Sequence, residues 1–234
     1  MTIDKKNPTL SIVMPTLNEE KAIETVTNDI KKYTIDYETE IIIVDSSKDR
    51  TPEIAKSLGV KVISMPKCGP GKAIIKGLLE SKSEIVIVSD CDNTYPMEMI
   101  PEFINWYKKG YHFVNGNRIN KMNKTMPLIN KLGNIAFASL VSILFGIKTS
   151  DVASGMRLYS RELINSSEWE TNFSFWIEII IKAKKKGFKF KEIPIDYRMR
   201  IGEPTVNLLR SGKCFLLCVL KYFFNLKSID PQKL

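Results

Sequence analysis

The sequence predicts an α/β fold with a mainly parallel central sheet flanked by helices. Short β-branched runs recur at LSIVM (10–14), EIIIVD (40–45), VKVIS (60–64) and EIVIVSD (84–90), each followed by a longer segment patterned as a helix. Strand alternating with helix is the pattern of βαβ units. The runs are apolar almost without interruption, as strands covered on both faces should be. A chain of 234 residues, 44% hydrophobic and 26% charged, is long enough to bury a core and has the composition of an ordinary globular protein rather than a disordered or fibrous one.

The elements follow in order. After the first run comes PTLNEE (15–20), where Pro15 is expected to end pairing, Asn18 to turn the chain, and Glu19 and Glu20 to open a helix. After the second comes DRTPEIAKSLG (49–59), with Thr51 as the cap, Pro52 at the first helical position and Gly59 as the stop. After the third comes PKCGPGKA (66–73), a glycine loop entering a helix with Lys72 beside its N-terminus, an arrangement suited to phosphate. It is not a Walker A loop, because Pro66 and Ala73 occupy positions that need Gly and Ser or Thr. Beyond about residue 110 the rhythm changes to a strand at 112–116, a long helix over about 128–145, a strand at 156–160, a helix at 175–186 and a strand at 190–195. No internal repeat or low-complexity linker interrupts the chain, which reads as one domain.

A net charge of +9 favours anionic partners. Its basic residues are scattered and its aromatics fall in apolar patterns rather than on a stacking platform, so a nucleic-acid role is not expected. Cys68, Cys91, Cys214 and Cys218 include one close pair, C-x3-C, without histidine neighbours. That spacing supports neither a zinc site nor a disulfide framework and fits a reducing cytosol. The opening MTIDKKNPTL lacks the apolar run of a secretory signal. Two greasy stretches, 135–147 and 214–224, fall short of the roughly 18 apolar residues of a membrane span and are favoured as core helices. The alternative is a membrane interface in which Lys213, Lys221 and Lys227 meet lipid phosphates while Phe215, Tyr222, Phe223 and Phe224 embed.

Ligands of such sheets sit beyond the carboxyl ends of the strands. There, IVIVSDCDNTYP (85–96) delivers Asp90 and Asp92 with no histidine nearby. If the extended geometry persists, the two side chains point the same way, roughly 7 Å apart at the backbone. Paired hard oxygens select Mg²⁺ or Mn²⁺, which uses one or two carboxylates plus substrate phosphates and acts as a Lewis acid without an imidazole. The competing reading is a pair of ordinary turn residues. Asp45, ending the second run, suits acceptance of hydrogen bonds from a ribose or base. Glu178, in an apolar helix, is expected in a buried structural pair, and His112, the only histidine, is given no role.

In combination these strand ends resemble the family 2 glycosyltransferases of GT-A (Rossmann-like) fold. The residues that carry the resemblance are Pro15-Thr16-Leu17-Asn18-Glu19, Val44-Asp45-Ser46-Ser47-Lys48-Asp49-Arg50-Thr51, Gly69-Pro70-Gly71-Lys72, and Asp90-Cys91-Asp92 with Pro96. GNR (116–118), LGN (132–134), DVASGMRLYSRE (151–162), FWIEIIIKAKKKG (175–187) and EIPIDYRMRIGEPTVN (192–207) look like the branch with dolichyl-phosphate mannosyltransferases and related polyprenyl-phosphate glycosyltransferases. The chain departs from the family pattern at Ser46 and Leu17, which bear on nucleotide choice, and at Glu203-Pro204-Thr205, which bears on a phosphate clamp beside Arg200.

The resemblance implies inverting, metal-dependent transfer of a hexose from a nucleotide diphosphate sugar of the GDP-mannose or UDP-glucose type. The acceptor is a dolichyl or polyprenyl phosphate at the cytoplasmic membrane face, with attachment peripheral or through an anchoring partner. It divides the chain into a nucleotide-sugar-binding half (8–110) and an acceptor-binding half (111–234) ending in an amphipathic, membrane-associating helix. The metal, Mg²⁺ or Mn²⁺, falls to Asp90 and Asp92, and catalysis to Asp92, Arg118 and Asp151. Donor and phosphate binding fall to Pro15, Leu17, Glu19, Val44, Asp45, Lys72, Asp90, Cys91, Asp92, Arg118, Lys131, Arg157 and Arg200. A lipid phosphate, with a second pKa of about 6, is already a nucleophile and needs no base, and Arg118, Lys131 and Arg200 suit cancelling the repulsion between it and the donor. Each of these has a plainer reading: solvated charge for Arg118 and Lys131, a turn cap for Asp151, a structural ion pair for Arg157. Two other functions remain open at this stage: transfer to a saccharide or protein hydroxyl with Asp151 as base, and a non-catalytic nucleotide-sugar-binding protein.

Overall fold

A computed structural model describes residues 9–119, 125–202 and 208–226. Glu203, Pro204, Thr205 and Lys227 lie outside the described residues. A seven-stranded sheet runs in the order β3-β2-β1-β4-β6-β5-β7, built from β1 (Leu10–Thr16), β2 (Thr39–Asp45), β3 (Lys61–Ser64), β4 (Ile85–Val88), β5 (Phe113–Asn117), β6 (Arg157–Ser160) and β7 (Phe190–Pro194). All pairings are parallel except those of β6, which runs antiparallel to both β4 and β5.

Alternating side chains of each strand feed two cores. On one face Ile12, Met14, Ile43, Ile85 and Ile87 pack under α1 (Ile23–Tyr33), α2 (Thr51–Ser57) and α4 (Ile100–Lys108). On the other, Val13, Ile42, Val86 and Val88 pack under α3 (Pro70–Glu80) and α7 (Phe175–Lys185). That cluster also takes side chains from α5 (Leu128–Phe145), α6 (Arg161–Asn165) and α8 (Leu208–Phe224).

Several local expectations are corrected. Pro15 does not end pairing but stays in β1 opposite Val44. Thr51 is not the cap of α2, where Arg50 holds that position; its hydroxyl donates to Asp49 and accepts from the Glu19 N–H at 2.8 Å, tying the β1–α1 loop to the β2–α2 loop. Asn18 does turn the chain, with a φ of 60°.

The larger correction concerns the greasy stretches. Helix α5 buries only Asn134, Ala138 and Val141, and among the described residues it is the one helix long and apolar enough to cross a membrane. It lies parallel to α8, Phe137 meeting Phe215 and Phe145 meeting Phe223 edge to face. Of the groups expected to meet lipid, Phe215 is buried, Tyr222 donates to Glu178, and Lys221 pairs with Glu170 at 3.1 Å, whereas Phe223, Phe224 and Lys213 are exposed.

Glu178 fulfils its structural expectation. Wholly buried, it pairs with Lys182 at 2.6 Å and accepts from the Thr171 N–H and hydroxyl and from Tyr222. Burial alone would raise this carboxyl, but the Lys182 and Thr171 hydrogen bonds outweigh it and hold it below its ordinary value of 4.5. Its contribution is therefore complete above that value and is lost as pH falls through the lowered one. Glu178→Ala, which strands several donors, should destabilise the fold by about 3 kcal/mol in denaturant titration; a change within 0.5 kcal/mol of zero, about that of an ordinary surface substitution, would contradict this.

Candidate active site

The candidate site lies where β1, β2 and β4 deliver their carboxyl ends. The chain leaves the ladder at Val88 and bends through 91–93, Asn93 taking a φ of 66°, so the expected strand geometry at Asp90 and Asp92 is not retained. Asp92 is 1% exposed; its Oδ1 accepts from the Thr94 N–H at 3.0 Å and the Thr94 hydroxyl at 2.5 Å, and its Oδ2 from Arg200 at 2.6 Å. The other arm of Arg200 reaches Glu19 at 2.9 Å, so one guanidinium bridges two carboxylates that follow β1 and β4. Asp90 is half-buried and lies over Gly155, where a Cβ would come within 2.7 Å of its Oδ2.

Three carboxylates thus converge on one cleft, and their electrostatics reflect it. Burial, then the Asp92 charge, push the Asp90 carboxyl up to about 7, against the pull of Arg118 and Arg200. Burial likewise pushes Glu19 up to about 7, with Arg200 opposing and Asp92 and Asp90 adding to it. No side-chain donor among the described residues bonds the Asp90 carboxylate. The Asp90 oxygens, without an ion-pair partner among the described residues and beside the Arg200-paired Asp92, offer hard donors that fit a Mg²⁺- or Mn²⁺-type ion. Among the described residues no group of three or more His, Cys, Asp and Glu is placed to hold a metal ion by itself.

Behind Asp90 stands a second, fully paired set. Arg118, at the end of β5, makes a two-pronged contact with Asp151: Nε to Oδ2 at 2.8 Å and Nη2 to Oδ1 at 2.9 Å. Asp151 is completely buried and also accepts from Asn134 at 2.6 Å and the Ala153 N–H at 3.1 Å. Burial would raise this carboxyl, but Arg118 outweighs it and holds it below the usual carboxylate range. Tyr95, not anticipated from the sequence although it directly precedes Pro96, joins the two sets: its hydroxyl accepts from the Gly155 N–H at 2.6 Å and lies 3.3 Å from Arg118 Nη1. Lys131 is half-buried in the first turn of α5, one turn before Asn134 and on the same face.

The remaining expected site residues divide. Asp45 is buried at the end of β2, its Oδ1 taken by the Thr16 and Ser47 hydroxyls and its Oδ2 reached, among the described residues, only by the Ser47 N–H at 3.3 Å. Pro15 and Leu17 are half-buried beside it on the β1 side. The side chains of Val44 and Cys91 are in the core, which leaves only their backbone for a ligand. Arg157 is wholly buried, and no ion pair holds it among the described residues: Nη1 and Nη2 donate to the carbonyls of Trp176 and Val152 at 2.8 and 2.7 Å, so it belongs to the packing. The glycine loop before Lys72 does not stand open to phosphate as expected. Asn172 covers it, accepting from the Lys72 N–H at 3.2 Å, and a Cβ on Gly71 would lie 1.9 Å from the Asn172 carbonyl oxygen.

Comparison with known proteins agrees with this geometry. The profile of the family described as "Glycosyl transferase family 2" matches residues 11–167. A dolichyl-phosphate hexose transferase of Haloferax volcanii is 42% identical over 212 residues, covering 91% of this chain and 92% of the relative. A dolichol-phosphate mannosyltransferase of Pyrococcus furiosus is 31% identical over 208 residues, covering 82% of this chain and 57% of that longer protein. In fold, glucosyl-3-phosphoglycerate synthase of Mycobacterium tuberculosis, crystallised with Mn²⁺, UDP-glucose and glycerol 3-phosphate, superposes with a TM-score of 0.78 at 23% identity, covering 94% of this chain and 82% of the other. With the matched segment running from β1 past β6 and the sheet shared with the GT-A enzymes, the chain belongs to glycosyl transferase family 2 and is a glycosyltransferase.

Proposed function

We propose that this enzyme transfers a hexose, with inversion, from a nucleotide diphosphate sugar to a polyprenyl phosphate of the dolichyl type. One observation carries the reading: the charges of Arg118 and Arg200, held on Asp151 and on Asp92 with Glu19, both act through space on the same carboxylate, Asp90, while Asp151 is buried with both oxygens engaged. Two cations beside a metal-type carboxylate pair suit two phosphoanions meeting. Asp151, the base that transfer to a hydroxyl would require, has no oxygen free to accept a proton. An acceptor that is already ionised needs none. The names of the Haloferax and Pyrococcus relatives support the same acceptor class.

Asp90 and Asp92 would hold the divalent ion, which when bound supplies a Lewis acid to neutralise the departing diphosphate. Asp45 receives the nucleoside, with Pro15 and Leu17 beside it. Arg118, fixed by Asp151, and Lys131, on the face of α5 turned toward it, hold the acceptor phosphate. Arg200, bridging Glu19 and Asp92, supplies a further cation between donor and acceptor, and electrostatic alignment of the two supplies the rate. Nucleotide sugars screened against a short polyprenyl phosphate, with Mn²⁺ and with chelator, test this. Metal-dependent formation of an organic-extractable hexosyl phosphate is expected, and turnover only on saccharide hydroxyls would reject it.

The exposed face shared by α5 and α8 supports peripheral docking on the cytoplasmic leaflet. Ile143 (79% exposed) and Phe224 (61%) stand on it, and Lys213 is positioned to meet anionic headgroups. Replacing Ile143 and Phe224 together by Asp should lower co-sedimentation with phosphatidylserine-containing vesicles roughly tenfold, with unchanged turnover on a detergent-soluble short-chain acceptor. Undiminished vesicle binding would overturn the docking face.

A further inference from the structure

The geometry points to Glu192 as a positioning residue that sets the orientation of Arg118 through the turn carrying Asp151. This rests on the reading of Arg118 as the acceptor-phosphate arginine. Glu192 lies on β7 opposite Asn115 of β5, half-buried, and among the described residues no ion pair neutralises it. Neutral donors surround it instead. Oε1 accepts from Asn117 Nδ2 at 2.5 Å, the Ser150 hydroxyl at 2.8 Å and the Ser150 N–H at 3.0 Å. Oε2 accepts from the Thr149 hydroxyl at 2.6 Å and Asn115 Nδ2 at 3.1 Å.

These bonds join two pieces of chain. Asn115 and Asn117 are alternate residues of β5, both fully buried with side chains on the same face, and Arg118 follows directly. Thr149 and Ser150 form the turn that runs into Asp151, whose carboxylate grips the Arg118 fork. Asn115 reinforces the join by donating to the Asp151 carbonyl at 2.8 Å. The carboxylate of Glu192 therefore fixes the distance between the strand that delivers Arg118 and the turn that orients it. An amide there would present its own N–H groups to donors, and half-satisfied polar networks of this kind are unstable.

The test is Glu192→Gln, an isosteric change, with Thr149→Val plus Ser150→Ala as a second variant that weakens the same join from the turn side. Hydrogen exchange at Arg118 Nε–H, followed by NMR in ¹⁵N-arginine-labelled protein, should accelerate in both variants, because that N–H is held by Asp151 at 2.8 Å. The KM for polyprenyl phosphate should rise roughly tenfold with kcat and donor KM changed far less, the usual scale for losing a group that orients a liganding side chain. Arg118 exchange as slow as in the wild type in the variants that fold would overturn the inference, as would equal rises in both KM values. If no polyprenyl phosphate serves as acceptor even for the wild type, the functional reading fails while the exchange measurement still decides the role of Glu192.

Discussion

Asp90→Asn should lower hexose transfer by at least about a hundredfold while leaving Tm unchanged or higher. The two effects diverge because Asp90 serves the ligand rather than the fold. Its carboxylate has no hydrogen-bond donor among the described residues, and burial and Asp92 push it up to about 7, so the folded protein resists its charge. An amide of the same shape removes that repulsion but supplies no anionic oxygen for a divalent cation. Asp92 should behave differently, since the Thr94 and Arg200 donors would lose their partner. Wild-type transfer by Asp90→Asn, or a Tm several degrees lower, would contradict the role assigned to it.

Asp151→Asn should reverse the balance, with stability falling by about 3–5 kcal/mol because the Arg118 charge is left buried and unpaired. Transfer measured on folded protein should survive in part, with a higher acceptor KM and an unaltered pH–rate profile. A general base would give another outcome: transfer lost without loss of stability, and its basic limb displaced. Thermal melts and pH–rate profiles of one preparation separate the two roles.

The parallel half of the sheet was readable because its strands are short runs rich in β-branched residues, so LSIVM, EIIIVD and EIVIVSD announced β1, β2 and β4 directly. Direction was less accessible. Nothing in MRLYS marks β6 as antiparallel, since that depends on pairing with β4 and β5 far away in the chain. The acidic pair and its arginines were readable as a motif, but their geometry was not. Asn93 at positive φ breaks the strand alternation, and the Arg200 bridge to Glu19 joins residues 181 positions apart. Arg157 misled for a related reason: whether a basic side chain faces ligand or packing depends on what long-range folding lays against it, here the carbonyls of Val152 and Trp176. The cover that Asn172 puts over the backbone of the glycine loop is set from a hundred residues away in the same manner. Nothing in EIPIDYRMRIGEPTVN marks Glu192 itself, because its donors come from segments roughly 40 and 75 residues upstream. Helix α5 carried enough apolar residues for a core, and only its docking against α8 reveals how much of it faces outward.

A direct comparison of one short isoprenoid as its phosphate and as its free alcohol, with the same donor and Mn²⁺, bears most closely on how this cleft works. Nucleoside diphosphate should appear with the phosphate alone, since its oxygen arrives charged between Arg118 and Arg200. Comparable release with the alcohol would mean that the cleft deprotonates its acceptor, contrary to the chemistry assigned to it.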